Sequence, residues 1–203
     1  MSKQLAPIHE GLYKKIILFE NIEKVIVQKT DRALGHQLLT SKYGNYLPQA
    51  SLSDIIDQNN IHGWLQNAIN TAEQRQAALV YALMNDDTHL LEKVKEAYYE
   101  IGYETGGYFT ATNAIEVYNQ LTAVLLDGMP CDKTNQIMNQ DDSSIQWKTI
   151  NCVHKDNWDS QGVDVKLYYQ FRTAFINGFI KRFTKDYIYK FSEEYLFHEI
   201  KQI

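Results

Sequence analysis

The hydrophobic spacing of this chain changes period late in the sequence, and that change sets its fold class. Up to about Gly128, apolar residues recur every three to four positions, as on one face of a helix. From Ile145 the spacing switches to two: Ile145, Trp147, Thr149, Asn151 and Val153 alternate with Gln146, Lys148, Ile150, Cys152 and His154. Helical spacing returns over Val163 to Phe183, where Tyr168, Phe171, Phe175, Ile176, Phe179 and Phe183 lie on one side. Two further alternating runs, Tyr187 to Phe191 and Tyr195 to Ile200, flank Ser192-Glu193-Glu194 and predict a hairpin. The class this predicts is α+β: a helical N-terminal two-thirds, with a small C-terminal antiparallel sheet packed on a long aromatic helix.

Punctuation residues divide the helical part. The first ten or so residues read as a loose arm, and Lys14 to Phe19 as a strand or a helix start. Asn21 is placed to cap a helix whose apolar positions are Ile22, Val25, Ile26, Ala33, Leu34 and Leu38. Gly44-Asn45 and Pro48 end that section, and Ser51 to Asp57 reads as one helical turn. Ile61 to Leu83 predicts a helix or a helix pair, with Thr71 and Gln74 as a capping box at a break. A turn at Asn85 to Thr88 leads into a helix striped by Leu90, Leu91, Val94, Ala97, Tyr98 and Ile101. Asn113 with Glu116 starts the next helix, and Asp127-Gly128 stops it. Met129 to Ser144 and Lys155 to Gly162 read as loops. No linker or repeat interrupts the 203 residues, so one domain spanning 1–203 is expected, with 1–60 as an N-terminal helical extension.

Charge and composition narrow the functional classes. A net charge of −5 disfavours non-specific nucleic-acid binding. No apolar run approaches the ~20 residues of a membrane span. The opening residues lack the apolar stretch of a signal peptide, and two cysteines make no disulfide framework, so a cytoplasmic, reduced protein is expected. Tyrosine is abundant, at 14 residues, and its apolar ring with a polar tip suits core edges, pocket walls and interfaces.

Cys152 and His154 are the most reactive pair in the alternating segment. On a strand they would share a face, in a zinc-ligand set with Cys131 and His198 or as nucleophile and base. No CxxC or HxxxH spacing supports a metal, none is expected, and the simpler reading is a buried, unreactive Cys152. Gly102, Gly106 and Gly107 lack the context of a phosphate loop and read as close helix packing. Gly178 costs its helix about 1 kcal/mol relative to Ala, which predicts a close neighbour there.

The second half, from Leu90 to Ile203, resembles the family of domains named for similarity to 4-vinyl reductase. The likeness lies in the helix with Ile101-Gly102-Tyr103-Glu104-Thr105-Gly106, the helix ending at Gly128, and the strand with Trp147 and Cys152. Phe175-Ile176-Asn177-Gly178-Phe179 and the final hairpin complete it. A related group, named for similarity to an aminothiazoline-carboxylate hydrolase, shares the layout. The resemblance implies small-molecule sensing. Metal-binding members carry a cysteine in the last hairpin, and Tyr187 to Ile200 has none.

The leading expectation is therefore a small-molecule-binding or sensor domain for an apolar or amphipathic ligand, without a cofactor. Tyr98, Trp147, Tyr168, Phe171 and Phe175 would wall an apolar pocket between two helices and the sheet, with Cys152, His154 and Arg172 also facing the ligand. A protein-interaction or inhibitory module, with homodimerisation as its sign, is the alternative. A hydrolase using Cys152 and His154 is the third.

Overall fold

The computed structural model describes residues 5–203, apart from the side chain of Leu34, and its class is α+β. Among the described residues eight α-helices come in the order α1 (Pro7–Thr30), α2 (Ala33–Tyr43), α3 (Leu52–Ile55), α4 (Ile61–Asp86), α5 (Leu90–Gly106), α6 (Ala114–Val124), α7 (Lys155–Asp159) and α8 (Val165–Ile180). Strands β1 (Asn135–Gln140) and β2 (Ser144–Thr149) precede α7, and β3 (Tyr187–Ser192) and β4 (Phe197–Gln202) follow α8. The antiparallel sheet has the order β1-β2-β4-β3. Trp147 stands opposite His198, and Ile145 opposite Ile200.

Local chemistry sets most boundaries. Asn113 Oδ1 accepts from the Glu116 amide at 2.9 Å, and Glu116 Oε2 reaches back to the Thr112 amide, which fixes the start of α6. Asp164 caps α8 through the Lys166 amide. Several expectations are corrected. Of the arm expected over the first ten residues, 1–4 lie outside the described residues, and Pro7, with its φ already suited to a first helical position, starts α1. Lys14 to Phe19 and the supposed cap Asn21 are interior to that helix. α4 runs unbroken past Thr71 and Gln74, because Ala68, Ile69, Ala72, Leu79, Val80 and Leu83 keep one buried face throughout. The single helix expected to carry Ile22, Val25, Ile26, Ala33, Leu34 and Leu38 is two, because Asp31 turns left-handed between α1 and α2; Ile22 and Ile26 are buried, while Leu38 is exposed. The loop expected at Met129 to Ser144 contains β1, and the polar loop after Lys155 contains α7.

One buried hydrophobic cluster runs through α1, α4, α5, α6, α8 and the sheet. Its closest seam joins α5 to α8. A Cβ built at Gly102 would overlap the carbonyl oxygen of Phe175, one at Gly106 that of Phe179, and one at Gly178 that of Tyr99. The two backbones touch because glycine stands at each crossing, as the sequence predicted for Gly102, Gly106 and Gly178. On the sheet, Ile145, Trp147, Thr149, His198 and Ile200 face inward. β1 leaves Ile137 and Met138 exposed at one edge.

Candidate functional site

Charged side chains appear inside this apolar framework at two places. In the first, Arg75 of α4 reaches Glu20 and Glu23 of α1 at 2.8 and 2.9 Å, and the Gly44 carbonyl at 2.8 Å. The ring of Tyr46 stacks on the guanidinium, and His36 meets Glu23 at 2.6 Å. These bonds pin α2 and the following loop to the α1–α4 pair.

The second network opens to solvent. α6 ends at Val124, Leu125 and Leu126 are buried as anchors, and Gly128 turns the chain at φ +73°. Asp127 is thereby held over the core. Its Oδ2 accepts from Arg172 at 2.8 Å and from Asn135 at 3.2 Å. Its Oδ1 faces His154 Nε2 at 3.4 Å, and His154 Nδ1 meets Glu73 Oε1 at 2.8 Å. Asn157 donates to Glu73 Oε2 at 3.1 Å, and Tyr168 packs on the His154 ring. An imidazole donates from both nitrogens only as the imidazolium. Burial opposes that charge, but Glu73 and Asp127 outweigh it and raise the His154 pKa to about 9. Burial likewise acts against the Asp127 carboxylate, yet Arg172, then His154 and Lys15, hold it well below the usual range.

Above Asp127 lies a cleft of about 480 Å³. Its walls are Gly11, Leu12 and Lys15 of α1, Tyr118 and Thr122 of α6, and the segment from Gly128 to Asn135. Lys15 Nζ donates to the Thr122 carbonyl at 2.7 Å, its only hydrogen bond among the described residues. Burial lowers its pKa, partly offset by Asp127. A second hollow of about 390 Å³ adjoins, sharing Gly11, Lys15 and Ala123 and continuing over Leu18, Phe109 and Val124.

The residues expected to wall a pocket are gathered, but in closed packing. Tyr98 stacks on Phe171, and Phe175 on Phe179 along the α5–α8 seam. The space left beside Tyr98, Tyr168, Arg172 and Phe175 is about 20 Å³, room for roughly one water. Trp147 stacks on His198 in a sheet-side aromatic group, with Tyr118 tilted against it. Cys152 and His154 do not share a strand face. β2 ends at Thr149, and His154 is the residue that starts α7. Cys152 Sγ accepts from the Tyr169 hydroxyl at 3.2 Å, while both His154 nitrogens face carboxylates, leaving none for the thiol. Among the described residues no group of three or more His, Cys, Asp and Glu side chains is arranged to hold a metal ion. Nor is any described helix long and apolar enough to cross a membrane.

Sequence reasoning passed over Asp127, Glu73 and Lys15. Asp127 read as a helix stop. Glu73 carries a usable signal, being a carboxylate in register with the apolar face of α4. No protein family, curated protein or solved structure matches the chain.

Proposed function

We propose that the chain is a small-molecule-binding or sensor domain whose site is the cleft between α1, α6 and the Gly128–Asn135 segment. The observation that carries this reading is the cleft itself: about 480 Å³, over a carboxylate oriented by Arg172 and Asn135. Ligand pockets have that size, with a few fixed polar groups among apolar walls. His154 and Arg172, expected to touch ligand, act in this reading through Asp127. Gly11 adds support. A Cβ there meets nothing within 4 Å, so the protein's own packing does not demand a glycine, and its absence of side chain keeps the cleft open. The test is native mass spectrometry of the parent and of Gly11→Leu. A co-purified small molecule in the parent that is lost from a folded Gly11→Leu supports the site. Equal occupancy in both removes it.

A second reading, an interaction or inhibitory module, is favoured by the edge strand β1, where Ile137 and Met138 are exposed beside an unpaired strand edge. Concentration-dependent self-association that Met138→Lys abolishes would favour it over the cleft.

A further inference from the structure

The charge around the cleft points to the class of ligand, granted that the cleft is a ligand site. Three cations, Lys15, Arg172 and His154, stand against two carboxylates, Asp127 and Glu73. The carboxylates are already engaged: Asp127 by Arg172, Asn135 and His154, Glu73 by His154 and Asn157. Of the nearby rim groups, Asp132 is occupied by the Met129 amide, while Lys14 and Lys133 add positive charge. Lys15 is the cation of the three that makes no direct ion pair among the described residues. An ammonium has three donors, and one of them is taken, by the Thr122 carbonyl. A half-buried cation with free donors is stabilised most by an anion, since the pair is partly shielded from water.

Position adds the rest. Lys15 lines both hollows, at the place where they meet over Gly11 and Ala123. The smaller hollow is apolar beyond that point, over Leu18, Phe109 and Val124. We infer that the ligand is an amphipathic anion, its acidic head group on Lys15 and its hydrocarbon part in the hollow over Leu18, Phe109 and Val124. The acidic group is a carboxylate or a phosphate ester, either of which accepts hydrogen bonds from Lys15.

Isothermal titration below micellar concentrations tests this with four probes: octanoate, octyl phosphate, octyltrimethylammonium and butyrate. Octanoate or octyl phosphate is expected to bind the parent, and whichever binds more tightly identifies the head group. Affinity should rise about fourfold per methylene from butyrate to octanoate if the chain enters an apolar hollow. Lys15→Met should weaken the anions at least tenfold, and Lys15→Arg should restore most of the loss, while circular dichroism confirms that both variants fold. Preference for octyltrimethylammonium, or unchanged anion binding in Lys15→Met, overturns the ligand class and leaves the cleft standing. Absence of binding by all four probes overturns it too; the cleft is then judged separately on whether the parent carries a co-purified molecule that Gly11→Leu loses.

Discussion

Gly102→Ala is the sharpest probe of the α5–α8 seam. In an exposed helix the change would stabilise by about 1 kcal/mol, because alanine has the better helix propensity. Here the added Cβ would lie 2.9 Å from the carbonyl carbon of Phe175 and 3.0 Å from its Cα, closer still to the oxygen. The obstacle is backbone, so no rotamer change relieves it, and the two helices must separate. Overpacking of this kind costs about 1–3 kcal/mol, which outweighs the propensity gain. A net loss of about 1 kcal/mol is expected, or roughly 2–4 °C in Tm for a chain of this size, which places the variant about 2 kcal/mol below the control that follows. Gly11→Ala is the matched control, since its Cβ meets nothing within 4 Å and only the propensity gain remains. Urea unfolding followed by circular dichroism reads both. If Gly102→Ala is as stable as Gly11→Ala, the backbones are not in contact and the reasoning is refuted.

Two further outcomes follow from the buried charges. Asp127→Ala leaves the Arg172 guanidinium, 3% exposed, without its carboxylate, at an expected cost of about 3–5 kcal/mol. Asp127→Ala with Arg172→Met should be less damaging than the sum of the two changes, and additive unfolding energies would show that the pair is not coupled. His154 has a folded pKa raised to about 9 over an ordinary 6.5, so its contribution is complete below pH 6.5 and fades as pH rises toward 9, by about 3 kcal/mol in all. His198 acts oppositely: burial lowers its pKa to about 3, so its contribution is complete above pH 6.5 and fades as pH falls. Stability should therefore peak near neutrality, and His154→Gln should flatten only the alkaline limb. Parallel alkaline limbs in parent and variant would refute the assignment.

The fold was more legible than the site. Period and glycine placement carried the α5 and α8 stripes, the final hairpin and the close backbone approach at Gly102 and Gly178, because each is a local pattern with one packing solution. β1 was not legible: its residues are largely exposed, so it shows no alternation, and it is a strand because β2 offers a partner. The break expected in α4 arose from side chains suited to a cap, which tertiary burial overrode. Aromatic density suits a pocket wall, and a seam closed by glycines turns the same residues into solid core. Glu20, Glu23, Glu73 and Arg75 interrupt apolar faces of α1 and α4, which marks buried charge in the sequence. What the sequence cannot supply is the pairing, since the partners of Glu73 and Arg172 lie 81 and 45 positions away.

The two ionic networks differ in a way that bears on function. Burying charge is costly, and apolar residues of similar volume would often serve stability as well or better. The Glu20–Glu23–Arg75 network nonetheless has a structural outlet, because its guanidinium also takes the Gly44 carbonyl and so fixes a loop with few apolar anchors. The Glu73–His154–Asp127–Arg172 chain lies among elements that the core already holds: α4, α8 and the start of α7 are lined by Leu79, Phe171 and Trp158, all fully or nearly buried. Stability alone gives little reason for four charges there. The chain does set the direction and ionisation of one carboxylate at the floor of a cleft, through contacts with groups that the cleft does not otherwise reach. Lys15, held by the Thr122 carbonyl, lies in the cleft wall beside that carboxylate. That difference is the reason to seek the proposed ligand at Lys15 and Asp127 rather than at Arg75.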